Sequence, residues 1–299
     1  MEKRNNFSIS MIIVKLMGGI GNQMFQYAMG RCLSLRKEEK MKLDKTGFET
    51  DELREYNLNH FNIVESFATA EEKKPFKKYQ RKPGKMWYWY NHTIADSSKY
   101  AIDELFYFQP NILQLKGPVY LDGYWQTEKY FKEYEDIIRQ DFTLKKEPTG
   151  KDMEIAKQIL ETNAVSVHVR RSDYVSNPVN ANYFGTFGPE YYREAERIIS
   201  KKIANPHFFV FSDDAEWVKK NIFFKSKTTY VNHNDASKNY ADLWLMSLCK
   251  HHIIPNSSFG WWGAWLNRNP NKIVIAPKKW IQKPSVNTKD VIPDSWITI

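Results

Sequence analysis

The stretch AVSVHVRRSDYV, residues 164–175, begins with the alternation of a core strand and ends in groups that are costly to desolvate. Val165, Val167 and Val169 fall on one face, and Ser166, His168 and Arg170 on the other. Arg171 and Asp173 follow. A guanidinium at a strand end can make two parallel hydrogen bonds to a phosphate. The plainer reading is an ion pair between arginine and Asp173 that knits the loop. In open parallel sheets, ligands sit beyond the carboxyl ends of the strands, so the other strand ends matter equally. FVFSDD (209–214) ends in two carboxylates. Asp213 could accept from guanine N–H donors or from a ribose hydroxyl; it could also cap a helix in a box with Glu216. For Asp214, capping or solvent exposure is favoured. NSSFGWWGAW (256–265) places Ser257 and Ser258 where a helix starts, as simple caps or as part of an anion site. Three such ends at one sheet edge resemble a diphosphate cradle.

A fourth loop, GGIGNQ (18–23), lies between a strand and a helix, where phosphate loops lie. It is a poor dinucleotide fingerprint, because Gly19-x-Gly21 continues to Met24, and Asp44 is only a weak ribose candidate. No Gly-Lys-Ser/Thr follows, which excludes a P-loop. What remains is close backbone approach to a ligand, with the amides of Asn22 and Gln23 as donors. No Asp-x-Asp occurs in the chain, so the usual clamp for a metal–diphosphate pair is missing.

These residues need a frame, and the second half supplies one. Helical spacing over 152–162 leads into a strand at 164–170. Pro189 opens a helix through Ile203, and strands are expected at 207–211, 228–232, 251–256 and 272–277 with helical patterns between them. That alternation is a doubly wound parallel sheet. The first half opens alike, with a strand at 11–17 and a helix after GGIGNQ. A strand at 119–125 and a helix over 127–140 close it, while 44–116 follows no clear period. KKEPTGK (145–151) reads as a linker. The expectation is two Rossmann-like α/β domains, 1–148 and 149–299, facing across a cleft.

At 299 residues, 42% apolar and 26% charged, the chain is a folded protein large enough for two domains. Its net charge of +9 suggests an anionic partner. Residues 73–85 hold seven Lys or Arg and no acid before the aromatic run MWYWY. A solvated loop explains this, and contact with an anionic membrane or a lipid-linked acceptor is the sharper reading. Cys32 and Cys249 match no metal spacing and read as buried thiols. Lys15 interrupts the only early apolar run, so no signal peptide is expected. No stretch approaches membrane-spanning length. The expected location is cytoplasmic, with peripheral contact at the inner membrane face as an option.

Taken together, GGIGNQMFQYAMG, LDGYWQTEKYF, VSVHVRRSDY, FVFSDD and NSSFGWWGAWL resemble, in order and spacing, the inverting α-1,2-fucosyltransferases of glycosyltransferase family 11. The resemblance spans roughly residues 11–280. It implies a GT-B fold, GDP-fucose as donor, no metal or other cofactor, and a terminal β-galactoside acceptor, as oligosaccharide or lipid-linked glycan. By motif, Arg170 resembles the arginine that holds the β-phosphate of departing GDP, and His168 and Asp213 the ribose or guanine contacts. Ser257, Ser258 and Phe259 resemble the diphosphate-binding turn, and Gly21 and Asn22 the opposing loop. Charge developing on the β-phosphate would need a guanidinium and oriented N–H groups. Asp173 is the nearest base for the acceptor hydroxyl, or else orients Arg171. Asp122 and Glu128 are rival bases or acceptor contacts. Alternatives are an α-1,6- or O-fucosyltransferase, a non-catalytic nucleotide-binding module and a nucleic-acid-binding protein. Against the last, the basic residues line no single element and no nucleic-acid-binding motif occurs.

Overall fold

The computed structural model describes residues 10–79, 99–103, 106–171, 174–175 and 177–299. The chain divides between Phe142 and Thr143 into two compact units, each built on a parallel sheet.

The first unit carries β1 (Met11–Lys15), β2 (Lys40–Asp44), β3 (Tyr100–Asp103) and β4 (Val119–Gly123), in the order β2-β1-β4-β3. The helix Ile20–Lys37 follows β1 and buries Met24, Phe25, Ala28, Met29, Cys32 and Leu33. Its end suits the helix dipole, with Arg36 and Lys37 in the last turn and Glu38 left-handed at φ 55°. Polar chains run among the strands' carboxyl ends. Lys15 pairs with Asp122 at 3.0 Å, and the Tyr100 hydroxyl donates to the same carboxylate at 2.7 Å. Tyr120 donates to Asp44 at 2.7 Å, and Lys73 reaches it at 2.9 Å. Burial disfavours the charge on Asp44, but hydrogen bonds from Thr46, Lys73 and Tyr120 outweigh it and hold the carboxyl below its usual range. Asp44 is therefore a buried structural anchor.

Two sequence expectations change here. The span 44–116 contains β3, a four-residue strand too short to show a period. The helix expected over 127–140 is α-helical only at Glu135–Asp141. Before it come two 3₁₀ turns, Glu128–Tyr130 and Lys132–Tyr134, because Phe131 leaves the helical region at φ −135°. Tyr130 and Phe131 are both buried there.

The second unit carries β5 (Asn163–Val169), β6 (Pro206–Ser212), β7 (Thr228–Val231), β8 (His251–Ile253), β9 (Val274–Ala276) and β10 (Ile297–Thr298), ordered β10-β9-β8-β5-β6-β7. Strand alternation sorts the core into two layers. Val165, Val167, Val169, Phe208 and Val210 pack under the helix Pro189–Ser200 through Tyr192, Ala195 and Ile199. Ala164, Phe209 and Phe211 face Ile155 and Ile159 of the helix Lys151–Leu160 and Leu245 and Met246 of the helix Asn239–Leu248. Helices thus cover both faces, as the alternating pattern implied. On the second face, Ser166 and His252, register partners on β5 and β8, are hydrogen-bonded at 2.7 Å.

Candidate active site

The strand order is what assembles the chemistry of the second unit. β8, β5 and β6 are neighbours, so their carboxyl ends lie side by side. Arg170 follows β5, Asp213 follows β6, and Asn256–Ser258 follow β8. Arg170 Nη1 lies 2.7 Å from Asp213 Oδ2, with both side chains about four-fifths buried. The other Asp213 oxygen accepts the backbone N–H of Arg171 at 2.9 Å. Asp213 therefore does not cap the next helix. Asp214 does, accepting from Trp217 N–H at the start of Ala215–Asn221, while Glu216 faces solvent and pairs with Lys219. The helix starts one residue later than a box on Asp213 requires.

Arg171 is held differently from its neighbour. Its Nε meets Asp214 at 3.2 Å and its guanidinium lies 3.6 Å from the Trp217 ring centre. Asp214 is thus the partner that orients Arg171. Asp173, read as base or as that orienting partner, lies outside the described residues. Arg170 instead stands 5.4 Å over Tyr174, whose ring stacks on Phe184.

Ser257 is the N-cap of the helix Ser258–Leu266; its carbonyl accepts from Trp261 N–H, but its hydroxyl makes no cap bond. The side chain is therefore not used up by capping. Phe259 lies 5.3 Å from the His168 ring. Gly260 is required by close approach, since a Cβ there would come within 2.7 Å of His168 Nδ1. That Nδ1 is buried and has no hydrogen-bond partner among the described residues. Burial pushes the imidazole down to about 4, against Asp213 and with Arg170, so His168 is neutral at pH 7. Asn256 was missed by sequence reasoning. Its buried amide donates to Phe184 and Trp280 carbonyls at 2.7 and 2.9 Å and ties two loops to the end of β8. An asparagine before two serines carries no local sign of such distant partners.

In the first unit, the GGIGNQ loop is positioned by its glutamines. Gln23 donates to Gly18 and Glu55 carbonyls and accepts from Asn57 N–H, at 2.8–2.9 Å. Gln26 exchanges two bonds with the Met17 backbone. The Gln23 amide is thus consumed by the scaffold, which corrects its expected role as a ligand donor. Asn22 remains part-exposed in the first helical turn, beside buried Gly21. Gly18 has φ +75°, and a Cβ there would lie 2.7 Å from Asn22 Nδ2. Asn22 Oδ1 accepts from Gln126 Nε2 at 2.9 Å. Asp122 is buried in its pair with Lys15, and Glu128 pairs with Lys132 at 3.0 Å.

Comparison with known proteins gives the family. Residues 2–299 match Glycosyl transferase family 11. The chain belongs to that family. It is 34% identical to an Escherichia coli alpha-1,2-colitosyltransferase, over 97% of this chain and 99% of the relative. It is 32% identical to the Escherichia coli O-antigen biosynthesis glycosyltransferase WbnK, over 95% and 99%. Human galactoside alpha-(1,2)-fucosyltransferase 1 is 27% identical across 49% of this chain and 42% of its own length. Among solved structures, an Arabidopsis thaliana FUT1 mutant in complex with GDP aligns with 91% of this chain and 71% of its own at a TM-score of 0.51 and 10% identity. That likeness shows the fold, α/β of the GT-B-like type. This family 11 chain is a glycosyltransferase, and no helix among its described residues is long and apolar enough to cross a membrane.

Proposed function

We propose that the chain transfers L-fucose from GDP-fucose to the 2-hydroxyl of a terminal β-galactoside, with inversion and without a metal ion. The observation that carries the reading is the Arg170–Asp213 pair between β5 and β6, next to the N-terminus of the helix Ser258–Leu266 on β8. Departure of GDP leaves charge on its β-phosphate. A guanidinium with two donors and a helix N-terminus are suited to that charge. Asp213 keeps Arg170 in place until the phosphate replaces it. The unpartnered Nδ1 of His168 supports an assignment to the nucleoside, as buried polar atoms without partners call for an explanation. The turn Ser257–Phe259 binds the diphosphate, and Gly21 and Asn22 are donor contacts by their likeness to the family's loop. Asp173 takes the acceptor proton. Asp122 and Glu128 stand as the reserve candidates for acceptor contact. The acceptor is an oligosaccharide or lipid-linked glycan. The basic-aromatic segment beyond Tyr79, read as a membrane contact, lies outside the described residues.

The first relative named above favours a second reading, in which the donor sugar is colitose, which lacks the 3-hydroxyl of fucose. The two readings share the linkage and differ in one hydroxyl. A site that hydrogen-bonds that hydroxyl rejects the deoxy donor by about 10⁴-fold, and one that does not discriminates weakly. The test offers GDP-fucose and GDP-colitose with lactose as acceptor, followed by linkage analysis. An α-1,2-fucosyl product with little colitose transfer is expected. Preference for the deoxy donor reverses the choice, and no transfer from either refutes both. Turnover should survive EDTA; a loss that Mg²⁺ or Mn²⁺ restores would refute the metal-free reading.

A further inference from the structure

We infer that Gln126 is a positioning residue that sets which end of the Asn22 amide is presented, an inference that rests on the reading of Asn22 as a donor contact. Asn22 and Gln126 follow neighbouring strands, β1 and β4, at their carboxyl ends. Gln126 is buried, and its Nε2 donates to Asn22 Oδ1 at 2.9 Å. With the carbonyl end of Asn22 occupied, its Nδ2 turns toward the open face of Gly18, where a Cβ would stand only 2.7 Å away. The carbonyl end of the amide is therefore held by Gln126, and its donor end lies beside the glycine loop. A neutral donor with its orientation already set is what developing charge on a sugar or phosphate oxygen calls for.

The turn that delivers Gln126 is costly, which argues for a purpose beyond connection. Trp125 is fully buried yet adopts φ +55°, a left-handed conformation that bulky side chains rarely take. Its indole Nε1 is buried without a hydrogen-bond partner among the described residues. The turn holds because Trp125 N–H donates to Asp103 Oδ2 at 2.6 Å and its carbonyl accepts from Thr127 N–H at 2.8 Å. Strain of this kind persists where surrounding structure over-determines it, and it gathers at functional sites. Here its product is the placement of one amide against another.

The test is a double-mutant cycle with GDP-fucose and lactose, with melting temperatures measured alongside. Asn22→Ala should lower kcat by about 10²-fold, the scale of losing one such donor. Gln126→Ala should lower kcat about tenfold with donor KM within roughly twofold, as expected for an interaction made in the transition state. Gln126→Glu keeps the shape but can only accept, so it draws Asn22 Nδ2 to itself and should fall to the level of Asn22→Ala. In an Asn22→Ala background neither Gln126 variant should cost more. Losses that multiply there, or full turnover by Gln126→Ala, overturn the inference while leaving Asn22 in its role. Full turnover by Asn22→Ala overturns that role and the inference with it.

Discussion

Two adjacent arginines of identical chemistry end β5, and their surroundings separate them. Arg171 is committed three times over: its N–H to Asp213, its Nε to Asp214 and its plane to Trp217. Arg170 has a carboxylate partner that a phosphate could replace. Arg170→Ala should therefore reduce transfer by more than about 10²-fold, because it removes charge stabilisation from the leaving group, with the melting temperature nearly unchanged. Arg171→Ala should do the reverse, costing about 1 kcal/mol of stability through the lost ion pair and ring contact and less than about tenfold in turnover. Equal kinetic losses in the two variants would remove the distinction. The sequence made Arg170 legible because strand alternation put it on the polar face. Its partner was not legible, since Asp213 arrives from another strand and was itself ambiguous between ligand contact and helix cap. Alternation says which way a side chain points and leaves open what it meets.

At the level of elements, the strand–turn–helix unit after β1 shows why a glycine loop can bind without a phosphate-loop signature. Its shape comes from Gln23 and Gln26, which bond to backbone groups at Gly18, Glu55, Asn57 and Met17. Gln23→Ala strips the Gly18 carbonyl and the buried Asn57 N–H of their partner, while the Glu55 carbonyl keeps its bond from Asn57 Nδ2 at 2.9 Å; each group left unpaired costs about 1–3 kcal/mol. The expected outcome is a loss of roughly 2–4 kcal/mol in chemical denaturation, together with weaker donor binding, because Gly18 and Asn22 lose their support. Unchanged stability would show the loop to be held otherwise. The strands of the second unit were readable because they are apolar and separated by amphipathic helices such as Pro189–Ser200. The middle of the first unit was not. There β3 spans four residues, and its order rests on Tyr100 and Tyr120 stacking at 5.0 Å and on carboxylates from distant parts of the chain. The Trp125 turn, too, depends on Asp103 of β3. No local periodicity encodes such contacts.

Over the whole molecule, the titrating groups are distributed unevenly between the two units. Burial pushes His168, His207, His251 and His252 below the usual imidazole range, His168 to about 4, and all four lie beyond Thr143. A depressed imidazole takes up its proton at lower pH in the folded state than in the unfolded chain, which binds it as pH falls through about 6.5. Stability is then lost on acidification, by up to about 1.4 kcal/mol per pH unit for each proton taken up on unfolding. Asp242 works the other way: burial raises its carboxyl to about 6, so the folded state binds that proton first as pH falls. Four groups against one leave the balance with the imidazoles. In the first unit the carboxyls of Asp44 and Glu72 are both depressed, so their contributions are lost only further down, below the ordinary carboxylate range. Between pH 7.5 and 5 the second unit should therefore lose stability while the first changes little. Calorimetry across that range should show one transition moving down and another nearly still, with added GDP raising the one that moves. Both transitions moving together, or GDP stabilising only the one that stays, would contradict the placement of the buried imidazoles and the Arg170 phosphate site in the same unit.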